Sequence, residues 1–89
     1  MSSSPRDSLV IMKDILTAAS KDATKTEIVY RSNINFVAAE RYVSRLLVRG
    51  LLESVRSVDG RVRFRITSSG RELLEKLVDV QRLVNGAGP

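Results

Sequence analysis

Eighty-nine residues make one small domain, which buries only about 60% of the surface its unfolded chain exposes, and a 43% hydrophobic content supplies an aliphatic core that excludes global disorder. The lack of cysteine excludes disulfides and thiolate metal sites, and the lack of histidine excludes imidazole bases and His-ligated metals. The net charge is +5, no apolar run approaches the roughly 20 residues that cross a bilayer, and residues 1–6 lack the apolar core of a signal peptide, so the expectation is a soluble, cytoplasmic protein with no membrane partner.

In chain order, residues 1–5 are Ser-rich and read as a disordered tail. Leu9, Met12, Ile15, Leu16 and Ala19 then recur at helical spacing, which predicts a first helix from Asp7 or Ser8 to Ser20 with one buried face. Thr24-Lys25-Thr26-Glu27 has the form of a capping box, so a second, short helix runs from about Lys25 to Arg31. Ser32-Asn33 ends it, because asparagine tolerates the left-handed conformation that terminates helices, and Ile34 plugs the core beneath the turn. Asn35 caps a third helix that runs to Arg49 and is closed by Gly50. Its spacing sends Phe36, Ala39, Val43, Leu46 and Leu47 toward the core, and Val37, Ala38, Arg41, Ser44, Arg45 and Val48 the opposite way. Two helices joined by a tight turn, with small and basic residues outward on the second, form a helix-turn-helix pattern.

A hairpin follows, with strands over 51–57 and 61–67. Asp59-Gly60 signals a two-residue type I′ turn. That register pairs Arg56 with Arg63, groups Val55, Val62, Phe64 and Ile66 on one face, and places Arg56, Arg61, Arg63 and Arg65 on the other without a balancing acid. Opposed like charges destabilise a strand pair, so this face is expected to meet an anion; the competing reading is a charged edge that keeps the hairpin from pairing with other chains. Thr67 or Ser68 caps a last helix that runs to about Asn85, followed by a second disordered tail over 86–89. Leu73, Leu77, Val80 and Val84 make a heptad seam on this helix, available either to cover the first helix or to pair with a second copy of the chain.

The charge is concentrated. Residues 31–71 hold nine arginines (Arg31, Arg41, Arg45, Arg49, Arg56, Arg61, Arg63, Arg65 and Arg71) against Glu40, Glu53 and Asp59, a surplus of six positive charges, and the remainder nearly cancels. Such a patch is the electrostatic footprint of a polyanion, and the arginine fork suits phosphate oxygens and guanine edges. No base-and-orienter constellation or Gly-rich phosphate loop is present, so no catalytic site, cofactor or metal is expected.

Lys25-Thr26-Glu27-Ile28-Val29-Tyr30, Ser32-Asn33-Ile34-Asn35-Phe36, Tyr42, Leu46-Leu47, Gly50-Leu51-Leu52 and Ile66-Thr67-Ser68-Ser69-Gly70, taken in order over roughly residues 6–84, resemble a family of small archaeal winged-helix DNA-binding proteins. The resemblance implies binding to double-stranded DNA as a homodimer paired through the last helix. The chain departs from that family in its short last helix, which leaves room for a compact helix pair in place of a long coiled coil.

The combined expectation is an α+β, mainly helical chain: a winged helix-turn-helix domain over 6–67, with three helices and a two-stranded wing, followed by a C-terminal dimerisation helix over 68–85. The third helix sits in the major groove through Arg41, Ser44 and Arg45, with Asn35, Val37 and Ala38 near its start; Arg31 and Asn33 flank the turn before it. Arg56, Arg61, Arg63 and Arg65 meet the backbone or minor groove. Lys25 and Thr26 hold a phosphate at a helix start or simply cap it. Leu73, Leu77, Val80 and Val84 form the dimer seam. The function expected is that of a nucleoid-associated transcriptional regulator or chromatin-like architectural protein; the alternative is a protein-protein interaction module of a transcription or replication assembly.

Overall fold

The computed structural model describes residues 8–86, so the tail read over 1–5 lies outside the described residues, as does the tail over 86–89 apart from Gly86. Six elements follow one another: α1 (Ser8–Ala19), α2 (Lys25–Ser32), α3 (Phe36–Val48), β1 (Leu52–Arg56), β2 (Val62–Ile66) and α4 (Ser68–Val84). Ile15, Leu16, Ala18 and Ala19 of α1 meet Ile28 of α2, then Ala39, Val43 and Leu46 of α3, and the hairpin closes the cluster with Leu52, Phe64 and Ile66. Truncating a fully buried member such as Leu46 to alanine costs about 2 to 5 kcal/mol, because the site cannot collapse onto the vacated volume.

Local chemistry sets the helix ends. Thr24 accepts from the Glu27 N–H and the Glu27 carboxylate accepts from the Thr24 N–H, the reciprocal capping box expected for α2. Asn33 ends α2 in the left-handed region at φ 55°, with its N–H donating to the Val29 carbonyl. Asn35 then caps α3 by accepting from the Ala38 N–H at 2.7 Å. At the far end of α3, Gly50 takes φ +73° and the Leu51 N–H reaches back to the Leu46 carbonyl at 2.9 Å, which turns the chain into β1. Phe36 departs from the expected core face: it is 52% exposed. As the first residue of the helix it overhangs the edge of the core, whose wall Ala39, Val43 and Leu46 supply.

The hairpin register differs from the expected one by a residue. Leu52 pairs with Ile66, Ser54 with Phe64, Val55 with Arg63 and Arg56 with Val62. The connection is a three-residue loop, Val58-Asp59-Gly60, in which Gly60 alone takes a positive φ, of 85°. A type I′ turn would require positive φ at Asp59 too; its carboxylate instead accepts from the Ser57 hydroxyl at 2.6 Å and the Arg61 N–H at 3.0 Å, which fixes a right-handed local turn. Arg56 therefore does not oppose Arg63, and it lies on the Val62 and Phe64 side, whereas Val55 lies with Arg61, Arg63 and Arg65. Ala23 adds a bridge on the outer side of β2, exchanging both backbone hydrogen bonds with Phe64 at 2.9 and 2.7 Å.

Thr67 docks α4. Its hydroxyl accepts from the Gly70 N–H and donates to the Gly50 carbonyl at 2.7 Å, while its own N–H donates to the Leu51 carbonyl at 3.2 Å. Along α4, Leu73 and Leu74 pack half-buried on the core and Leu77 is buried, whereas Val80 is 51% and Val84 77% exposed. The heptad seam is thus divided: its first half covers α1 and its second half faces outward.

Candidate nucleic-acid interface

The exposed side of α3 carries Val37, Arg41, Ser44, Arg45 and Val48, with Ala38 half-buried at its margin. No acidic side chain lies on that stripe among the described residues. Glu40, at its border, accepts from the Lys25 Nζ at 2.6 Å, so α2 supplies the cation that neutralises it. Arg45 lies over the Tyr42 ring, 5.8 Å from the centroid, and the Tyr42 hydroxyl is 3.1 Å from the Ser8 Oγ. The ring restricts the Arg45 guanidinium without consuming its hydrogen-bonding edge. Arg41 and Arg45 are brought onto one face, as the sequence predicted.

The hairpin arginines are not equivalent, and the expectation of an unbalanced face is corrected. Arg65 donates a two-pronged fork to Asp22, at 2.9 and 2.8 Å, fastening β2 to the turn after α1. Asp22 stands at φ 53°, and the Arg65 hydrogen bond holds its carboxyl below the usual range. Arg63 lies 3.6 Å from the Glu27 carboxylate, which is itself held low first by the Thr24 N–H and then by Arg63. Glu53 shares the face, across from Arg65. Arg61 and Arg56 stand at the tip, where Arg56 donates to the Gly60 carbonyl at 3.0 Å and Arg61 lies 3.9 Å from Asp59. Asp22 and Glu27 come from a turn and a cap distant in sequence, so no pattern within the hairpin points to them, whereas Glu53 joins this face only through the shifted register.

Between the hairpin and the start of α2 lies an open cleft of about 450 Å³ lined by Thr24, Thr26, Glu27, Arg61, Val62 and Arg63. Thr26 is exposed there, while Lys25 is turned away toward Glu40. Arg31 is exposed in the last turn of α2, and Asn33 and Asn35 bracket the turn before α3, each engaged as a cap. Between α1 and α4 lies a mostly apolar groove of about 340 Å³ lined by Leu9, Val10, Leu77, Val80 and Val84, with Lys13, Gln81 and Asn85 also on it.

A helix pair joined by a tight turn, with its second helix presented outward beside a two-stranded hairpin, agrees with the winged helix-turn-helix family model, which matches residues 5–85. The chain belongs to the winged helix-turn-helix family. It is 35% identical over 80 residues to an uncharacterized protein of Methanocaldococcus jannaschii, a match that takes in 89% of this chain and only 36% of that protein. Its fold is similar to the crystal structure of Sso10a-2, a DNA-binding protein from Sulfolobus solfataricus, at a TM-score of 0.75 and 28% identity over 92% of this chain and 88% of that one. It is also similar in fold to the transcriptional regulator BldR of the same organism, at a TM-score of 0.80 and 24% identity over 86% of this chain and 58% of the other. The architecture is therefore that of a winged helix, with archaeal proteins among those it resembles. No helix among the described residues is long and apolar enough to cross a membrane.

Proposed function

We propose that this chain binds double-stranded DNA in the nucleoid, as a transcriptional regulator or an architectural protein, with α3 in the major groove and the hairpin tip on the flanking backbone or minor groove. The observation that carries this reading is the α3 stripe of Arg41, Ser44 and Arg45, acid-free among the described residues, whose bordering Glu40 is already neutralised by Lys25. A helix of this kind fits the wide B-form major groove, and arginine offers the two-pronged donor that guanine accepts there. Arg56 and Arg61 extend the positive surface toward the backbone, while Arg65, held by Asp22, positions the hairpin. In this reading two heads are joined through the outward half of α4, at Val80 and Val84, so that both read one duplex.

The test is a titration of duplex DNA against salt. If about six phosphates are contacted, affinity falls on the order of 1,000-fold between about 50 and 200 mM salt. Absent duplex binding rejects DNA as the partner and favours an acidic protein surface on the same face, and binding that is flat over that range rejects the phosphate contacts of this reading.

A further inference from the structure

At the start of α3, Phe36, Val37, Glu40 and Arg41 line an open depression of about 280 Å³. Its apolar floor is unusual in position. Phe36 is 52% and Val37 71% exposed, although a phenylalanine gains substantially from burial and the core lies one helical turn away at Ala39. The depression adjoins Arg41, on the stripe that the DNA reading places in the major groove. Glu40 on its rim is held by Lys25 at 2.6 Å, which removes the charge that would repel a duplex. The surroundings are cationic, so the occupant belongs to a polyanion; the floor is apolar, so the part that enters carries no polar edge. In a B-form major groove one group meets both conditions, the 5-methyl of a pyrimidine.

We propose that the Phe36 and Val37 depression receives a pyrimidine 5-methyl group while Arg41 addresses a neighbouring base edge, making Phe36 a specificity-determining residue. This deepens the DNA reading and rests on it. The same methyl is presented by thymine and by 5-methylcytosine, and the chemistry of recognition is shared.

Four duplexes of equal length separate the possibilities: one of alternating A·T steps, the same duplex with every thymine replaced by deoxyuridine, a C·G duplex, and that C·G duplex with 5-methylcytosine. Removing the methyls changes neither the phosphates nor the hydrogen-bonding edges. The wild-type chain is expected to bind the thymine duplex about fourfold more tightly than the deoxyuridine duplex for each methyl engaged, the ratio corresponding to about 0.8 kcal/mol per buried carbon group. Phe36→Ser should bring that ratio to about one while retaining the salt dependence, and Phe36→Leu should preserve it. Circular dichroism of both variants reports the fold, and the Phe36→Leu result stands even if the serine variant unfolds. A gain on cytosine methylation of similar size assigns the depression to the methyl group in either base; a gain confined to thymine assigns it to thymine alone. Equal, tight binding of the thymine and deoxyuridine duplexes by the wild type overturns the proposal and leaves the DNA reading intact, whereas no binding to any duplex overturns both.

Discussion

Gly70 shows how one residue joins two elements. A Cβ at this position would stand 2.1 Å from the Leu51 carbonyl oxygen and 2.8 Å from the Ile66 Cγ1. In an open helix, alanine would stabilise by roughly 0.5 to 1 kcal/mol over glycine. Here a clash with backbone outweighs that gain, because the carbonyl belongs to the chain that Thr67 holds in place. Gly70→Ala is expected to destabilise by about 3 kcal/mol, the upper end of ordinary overpacking, and to lower the melting temperature on the order of 10 to 20 °C. Thermal unfolding by circular dichroism measures it, and a melting temperature at or above the wild type would show that α4 can shift away from Leu51 at little cost. Arg41 and Arg45 act at the same scale but outside the core. With both replaced by alanine, the fold is expected to persist and duplex affinity to drop by about 1 to 3 kcal/mol for each base edge no longer addressed. Retention of wild-type affinity at moderate salt would mean that α3 is not the reading element.

At the scale of the element, the hairpin divides its arginines between anchoring and reach. Arg65 is committed to Asp22 and Arg63 leans on Glu27, whereas Arg56 and Arg61 stand at the exposed tip. Replacing Arg61 with Gln is expected to leave the melting temperature near that of the wild type and to reduce the steepness of the salt dependence by about one phosphate. Arg65→Gln should do the reverse: a lower melting temperature, because β2 loses its tie to the turn after α1, with little change in salt slope. Measuring both quantities on both variants separates the roles, and an equal fall in salt slope for the two would mean that Arg65 leaves Asp22 to meet phosphate.

For the whole molecule, the carboxylates that fasten these elements also set an acid limit. Asp22 is held below the usual range chiefly by Arg65, Glu27 by the Thr24 N–H, and Asp59 by the Ser57 hydroxyl. All three bind a proton less readily in the folded chain than in the unfolded one. Their contribution to stability is therefore complete above the unfolded carboxylate range, near pH 4, and is lost as pH falls through the lower folded values. Chemical denaturation between pH 7 and pH 2.5 should show this loss, and Asp22→Asn, which tolerates the same positive φ, should flatten it; an unaltered acid limb would assign the effect to other groups. Assembly is decided at the same scale. Leu77 is buried in the chain's own core, so glutamate there would test folding; Val80→Glu with Val84→Glu tests pairing. If two copies join through this half of α4, the wild-type chain sediments at twice its 9.9 kDa mass and the double variant as a monomer. A wild type that is monomeric at micromolar concentration and still binds DNA tightly would remove α4 from the interface.

The sequence by itself determined the order and the ends of the elements, because those depend on interactions a few residues apart. The capping box at Thr24 and Glu27, the left-handed Asn33, the Asn35 cap and the Thr67 cap are local hydrogen-bonding arrangements, and each stands where the residue types predicted it. The outward placement of Arg41, Ser44 and Arg45 was legible for the same reason, since helical spacing alone carries it. Tertiary structure decided what depends on partners distant in the chain. The hairpin register turned on whether Asp59 would adopt a positive φ or use its carboxylate to hold Ser57 and Arg61, and the one-residue shift that followed moved Arg56 to the other side of the hairpin. Only the fold brings Asp22 to Arg65, 43 residues along the chain, and only the fold divides the α4 seam between core and surface. Periodicity shows that Phe36 has an apolar face to offer, but whether the core extends far enough to cover it is a property of the packed molecule, and it does not.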